Sequence, residues 1–243
     1  NQDVRARPYK PEISDNIEVG MKSTWLDRRM LFNLTGFFNT YKEQQITVGR
    51  TVDGQPTADL INAQKAEIWG VEGELKFVPA ERWLVMGSFG WMDGKYKEFT
   101  VLDNSIGPPP DFAEVIVERD LSDTKVIRGA PYTFSVSAAY THPLNGGGDI
   151  TAQIGWAQRG RTYNTLETVD SSKQKAYGLM DGRITWLLAN GSTSVSLWGR
   201  NLLDKKYFPS AIDLSTGTAP TQTITKYWGE PLRFGVELRH AFN

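Results

Sequence analysis

The chain has 243 residues, 40% apolar side chains, no cysteine, two histidines and a formal charge of −1. That is enough for one large domain, with no thiols for a disulfide or metal framework and no basic block for nucleic acid. No apolar run reaches the roughly 18 residues of a membrane helix, yet strands that alternate their hydrophobicity escape that test, so a mean hydropathy of −0.41 is compatible with a membrane β-barrel.

Nine segments alternate apolar and polar side chains with period two, which predicts nine strands. Their apolar phases run in order through Ile17, Val19, Met21 and Trp25; Met30, Phe32, Leu34, Gly36 and Phe38; Trp69, Val71, Gly73, Leu75 and Phe77; and Trp83, Val85, Gly87, Phe89 and Trp91. They continue through Tyr132, Phe134, Val136, Ala138 and Tyr140; Ile150, Ala152, Ile154 and Trp156; Gly178, Met180, Gly182, Ile184 and Trp186; and Val195, Leu197 and Gly199. The ninth carries Phe234, Val236, Leu238, His240 and Phe242. Asn190-Gly191 has the composition of a two-residue hairpin turn.

The apolar phases hold no Asp, Glu, Lys or Arg, although such residues make up 23% of the chain, and a Lys or Arg at the lipid midplane costs about 2–4 kcal/mol. The opposite phases carry residues such as Glu72, Glu74, Arg183, Glu237 and Arg239. A soluble β-sandwich would alternate in the same way with its apolar residues inward. Loop lengths separate the two. Short turns near Asp27, Pro79, Asn145 and Asn190 alternate with long connections over 44–64, 97–128, 166–175 and 207–229, the pattern of short periplasmic turns and longer extracellular loops. This places the C-terminus on the periplasmic side and residues 1–14 outside. Trp25, Phe77, Trp83, Tyr140, Trp186 and Phe242 gather near the short turns, and Trp69, Trp91 and Tyr132 near the long loops, as two interfacial girdles would. The expected fold is all-β, a transmembrane antiparallel β-barrel.

Four motifs in order carry a resemblance. Lys10-Pro11-Glu12 precedes Glu18-Val19-Gly20-Met21-Lys22; Gly70-Val71-Glu72-Gly73-Glu74 follows; Asn201-Leu202-Leu203-Asp204-Lys205-Lys206-Tyr207 fits Asn-Leu-x-Asp-x-x-Tyr; and the chain ends on an aromatic-terminated strand. Together they resemble the C-terminal barrel of the TonB-dependent outer-membrane receptors. The ending departs from that pattern in His240, where an aromatic is usual, and in Asn243 after the last aromatic. The resemblance implies a barrel of about 22 strands, of which nine are here. Residues 1–243 then form the C-terminal part as a single domain, and the plug domain lies in sequence upstream of Asn1.

What the resemblance implies for function is capture of a scarce extracellular ligand, most simply an iron-siderophore chelate, and its import in a Gram-negative cell with energy transmitted by TonB through the plug. The implied partners are the lipid bilayer and lipopolysaccharide, the TonB complex, the barrel-assembly machinery and a small-molecule ligand. Arg159, Arg161 and Tyr163 share the polar phase past the sixth strand, and Tyr227 and Trp228 precede the ninth; cations and aromatics there suit an anionic chelate. Gly235, Leu238, His240 and Phe242 form the expected assembly signal. Pro108-Pro109-Pro110 stiffens the longest loop. No catalytic motif occurs, no cofactor is expected, and His142 and His240 stand alone without metal-ligand spacing. A passive porin or structural outer-membrane barrel is the first alternative, and a soluble β-sandwich binding protein or hydrolase the second.

Overall fold

The alternation becomes one continuous ladder. In the computed structural model, residues 9–52, 55–106, 114–165, 172–213 and 224–242 are described. Nine strands form a single antiparallel sheet, each paired with its neighbour: β1 (Ile13–Trp25), β2 (Met30–Val52), β3 (Gln55–Phe77), β4 (Trp83–Glu98), β7 (Tyr132–Pro143), β8 (Asp149–Arg159), β11 (Tyr177–Leu187), β12 (Thr193–Arg200) and β15 (Arg233–His240). The intervening labels belong to three small hairpins at the long-loop end: β5 (Thr100–Ile106) with β6 (Glu114–Asp120), β9 (Thr162–Tyr163) with β10 (Lys173–Gln174), and β13 (Ser210–Asp213) with β14 (Ile224–Tyr227).

Register puts every apolar phase on one face. A single cross-strand row runs Trp25, Met30, Phe77, Val85, Ala138, Ile154, Gly182, Gly199, Phe234. It starts beside a short turn in β1 and reaches the long-loop end of β15. That climb is the stagger a sheet needs in order to curl with tilted strands into a barrel wall. The apolar face is bare: Val19 is 77% exposed and Phe234 78%, with Ile17, Trp69, Phe134, Val136, Ile154, Ile184 and Leu197 exposed as well. A soluble sandwich would bury this face, so that alternative is excluded.

The opposite face is a hydrogen-bonded polar wall. Asn33 donates to Glu74 at 3.4 Å, while Ser88 and Ser135 share a bond of 2.8 Å and Thr141 and Thr151 one of 3.0 Å. Arg183 donates to Glu237 at 2.7 Å and to Ser196 at 2.9 Å, tying β11, β12 and β15 together.

Aromatic side chains mark both rims. Trp83 and Tyr140 meet at 5.0 Å beside a short turn, and Trp69 and Trp91 meet edge-on at 4.8 Å toward the long loops. Eight residue steps from Trp83 to Trp91, at about 3.4 Å each and tilted about 40°, span about 21 Å along a barrel axis, close to the height of a lipid-facing band.

Three expectations need correction. The connection 44–64 is not a loop: β2 and β3 each run 23 residues, well past the 9–11 that cross a bilayer. Thr40, Lys42, Gln44, Lys65 and Glu67 put polar side chains on the phase that is apolar lower down, which erases the alternation but leaves backbone pairing intact. The 97–128 connection holds a hairpin and a compact lid, described below; Pro108-Pro109-Pro110 lies outside the described residues. The last strand ends at His240 rather than Phe242, because its partner β12 begins at Thr193, opposite His240.

Gly235, on the polar face, lies under the ring of Trp198; a Cβ there would stand 2.7 Å from Trp198 Cζ2. Gly235→Ala should therefore destabilise the β12–β15 pair by about 1–3 kcal/mol through overpacking. The readout is the fraction of heat-resistant folded band on a gel; no change would show that the ring swings aside freely.

Candidate functional site

Side chains converge at the long-loop end. The buried apolar cluster lies there and not within the wall: Ile46, Ala63, Ala66, Tyr96, Phe99, Val101, Leu121 and Val126. The row Tyr41, Ala66, Tyr96 belongs to the polar-face phase, whereas Ile46 and Ala63 continue the other phase, so the cluster draws on both phases of the strands beyond the wall. The chain after β6 folds back over it. Tyr96 N donates to Thr124 O at 3.0 Å, Asp123 N to Tyr96 O at 2.7 Å and Val126 N to Gly94 O at 3.2 Å, and Lys125 pairs with Asp93. Tyr96 is 1% exposed, so the lid is packed as a small core of its own. At its edge the hydroxyl and backbone N–H of Ser122 hold the Asp120 carboxyl below the usual carboxylate range.

Arg128, at the end of this lid, adopts φ 60 and works through its backbone. Its N–H donates to Tyr163 O at 2.8 Å and its carbonyl accepts from Arg159 at 3.0 Å; its own guanidinium donates to Ser210 Oγ at 3.2 Å. Ser210 is the register partner of Tyr227. Arg159, Tyr163 and Tyr227 are thus linked through Arg128 and Ser210, two residues that no sequence pattern nominated.

Arg161 departs from this set. The main ladder stops at Arg159, Gly160 N donates to Tyr132 O at 2.8 Å, and Gly160 lies against the Tyr132 ring, where a Cβ would stand a tight 3.1 Å from the ring. Arg161 then lines a groove of about 530 Å³ with Pro131, Tyr132, Lys173, Lys175 and Ala176. Since Tyr132 belongs to the apolar phase, Arg161 stands at the rim of the apolar face. The expected shared phase fails because Thr162 and Tyr163 pair with β10 and not with the wall.

Trp228, 64% exposed, meets Phe208 edge-on at 6.0 Å, and Lys226 Nζ sits 4.7 Å over the Phe208 ring. Tyr207 stacks on Tyr177 at 4.6 Å and 22°, and Tyr177 is opposite Arg159 in register. A second groove, about 480 Å³, runs between Asp204, Lys205, Lys206, Tyr207, Trp228, Gly229, Glu230 and Pro231. Asn201 holds it in shape. Its side chain accepts from Lys205 N at 2.8 Å and donates to Lys205 O at 3.0 Å and Glu230 O at 2.9 Å, while Asp204 accepts from Leu232 N at 3.0 Å.

The assembly-signal residues lie apart. Leu238 is exposed on the apolar face, His240 Nδ1 is 2.8 Å from Thr193 Oγ1, and Phe242 meets the His240 ring edge-on at 4.6 Å beyond the last strand. Among the described residues no group of three or more His, Cys, Asp or Glu is placed to hold a metal ion.

Residues 1–202 match the family described as "TonB dependent receptor-like, beta-barrel". The chain belongs to that family of outer-membrane barrels. Its fold is similar to that of the ferric yersiniabactin uptake receptor FyuA from Yersinia pestis, at a TM-score of 0.71 and 18% identity over 96% of this chain and 30% of that one. It is also similar to the copper transporter OprC, at 0.70 and 15%, over 96% and 33%. The pyoverdine outer membrane receptor FpvA from Pseudomonas aeruginosa matches at 0.62 and 20%, over 96% and 30%. The chain thus spans about a third of the length of these structures, and at such identities the likeness is one of fold.

Proposed function

We propose that residues 1–243 are the C-terminal part of the barrel of an energised uptake receptor. Its long-loop end is extracellular and its C-terminus periplasmic, and it binds an iron-siderophore type of chelate for import driven by the TonB complex acting on a plug. The observation that carries this reading is the linked cation and aromatic cluster at the long-loop end: Arg159, Tyr163, Tyr227 and Trp228, joined by Arg128, Ser210 and Tyr177. Guanidinium groups suit an anionic chelate, and exposed rings suit its planar groups. The packed lid over Tyr96 keeps that mouth ordered, so less ordering is left to oppose binding.

The test is uptake of radiolabelled ferric chelate by cells carrying or lacking the full-length gene, with and without the proton-motive force. Uptake that needs both the gene and the energised state supports the reading; uptake indifferent to the energised state would favour a passive porin. Trp228→Ala should weaken chelate binding to the full-length receptor by about tenfold, the worth of one cation–π or stacking contact, with the folded band unchanged. Unaltered affinity would remove Trp228 from the site.

A further inference from the structure

We propose that Asn145 is a site of spontaneous deamidation, its side-chain amide converted by water to a carboxylate, and that Asn190, in the same dipeptide in the next short turn, is held unreactive by its hydrogen bonds.

Asparagine is followed by glycine at Asn145-Gly146 and at Asn190-Gly191. The first pair lies in the turn from β7 to β8 and the second in the turn from β11 to β12, and all four residues are exposed. At either glycine a Cβ would meet nothing within 4 Å, so the space around the two pairs is alike. Glycine matters because the reaction brings its backbone nitrogen onto the preceding side-chain amide, and the missing Cβ leaves that approach open.

The chemistry needs only water. Gly146 N gives up its proton to solvent and attacks Asn145 Cγ. The new C–N bond closes a cyclic imide, and the Cγ–Nδ2 bond breaks to release ammonia. Water then opens the ring, giving aspartate if it attacks Cγ and isoaspartate if it attacks the backbone carbonyl. Water is consumed, ammonia leaves, and nothing is oxidised or reduced.

What differs between the two turns is how firmly the reacting groups are tied. At Asn190 both are tied. Its Oδ1 accepts from Ser192 N at 3.1 Å and Thr193 N at 3.0 Å, and its Nδ2 donates to Thr193 Oγ1 at 2.8 Å. The attacking group, Gly191 N, already donates to Leu188 O at 3.0 Å. The two donors on Oδ1 polarise the Asn190 carbonyl, which favours attack, but the Gly191 proton is held by Leu188 O and the turn must open before it is lost. At Asn145 the turn closes around the pair instead. Gly147 N donates to Leu144 O and Leu144 N to Gly148 O, each at 3.1 Å. Among the described residues, neither Gly146 N nor the Asn145 amide has a hydrogen-bond partner. The product falls at a tight corner: a Cβ on Gly147 would stand 3.1 Å from Ala189 Cβ, and one on Gly148 2.1 Å from Leu187 O. The extra main-chain carbon of isoaspartate therefore enters where the two turns already touch.

The test ages the full-length receptor in detergent at mildly alkaline pH. Trypsin digestion in heavy-oxygen water marks any conversion that occurs during digestion, and mass spectrometry reads the rest. Cleavage after Arg128, Arg159, Arg183 and Arg200 leaves each asparagine alone in its peptide, 129–159 or 184–200. Asn145 should convert at least about tenfold faster than Asn190, since the Asn190 bonds must break first. In the urea-unfolded chain the two rates should converge, which ties the difference to the fold and not to the flanking sequence. Gly146→Ala, which the open space admits, should slow conversion at 145. Equal rates in the folded receptor, faster conversion at Asn190, or an Asn145 that converts only after unfolding would each overturn the proposal. The folded and unfolded rates are compared in the parent chain, so a variant that fails to fold cannot mask the outcome.

Discussion

Asn201→Ala should loosen the rim between β12 and β15 by about 2–4 kcal/mol while leaving the wall assembled. Asn201 is 3% exposed and held at φ 47. Its amide satisfies three backbone groups, the N–H and carbonyl of Lys205 and the carbonyl of Glu230. Alanine leaves all three without partners at a partly buried site, at about 1–3 kcal/mol for each group that water cannot reach. It also forces a residue with a Cβ, but without asparagine's local hydrogen bonds, into the left-handed region, adding about 1 kcal/mol. Two further variants divide these effects. Asn201→Gly loses the hydrogen bonds but not the backbone tolerance and should fall between parent and alanine. Asn201→Asp keeps the acceptor for Lys205 N, loses both donations, and sets a charge against two carbonyls. Amide exchange over 202–232 in the full-length receptor is the measure. Parent-like protection in the alanine variant would mean that the Tyr177–Tyr207 stack and the Asp204 to Leu232 bond hold the rim without Asn201.

The Asn201 series also shows where sequence reading stops. The Asn-Leu-x-Asp-x-x-Tyr motif was visible, but only as a resemblance. Its physical content is a turn in which Asn201 bridges two loop segments, Asp204 anchors the return at Leu232, and Tyr207 covers Gly229. None of those pairings is periodic, so no pattern announces them. The wall was legible because alternation and pairing agree there: each strand core lies within the expected segment, and the apolar phases share one face. Legibility failed where they part company. From Thr40 to Glu67 polar side chains occupy the phase that is apolar lower down, and pairing continues without the alternating signal. In the lid, Phe99, Leu121 and Val126 are brought together by chain reversal, so their spacing says nothing. Arg128 acts through its N–H and carbonyl, which any residue carries. Arg161 was assigned to the polar phase by counting in twos past Arg159, and the break at Gly160 ends that count.

Adjacent residues on β7 offer the sharpest test of which face meets lipid. Val136 lies midway along the Tyr132–Tyr140 stretch, on the apolar face, opposite Gly87 and Trp156; Ser137 lies on the polar face, opposite Met86 and Gly155. Neither has a charged register partner, so an introduced arginine meets no like charge directly across. Val136→Arg should cost about 2–4 kcal/mol, the depth-dependent penalty for a cation near the bilayer midplane. Ser137→Arg points toward the wetted side, where a long side chain can reach water, and should change stability by less than about 1 kcal/mol. Urea unfolding of the full-length receptor in lipid vesicles measures both. The informative quantity is the difference, since each variant adds the same residue and the same charge to the same strand. Equal costs would mean that both faces are buried in protein, as in a closed two-layer packing. A larger cost at Ser137 would turn the sheet inside out, placing the Asn33–Glu74 and Arg183–Glu237 pairs against lipid. Three charged side chains in hydrocarbon would be too costly for any barrel to retain, so the sign of this one difference fixes the sidedness on which the mouth cluster depends.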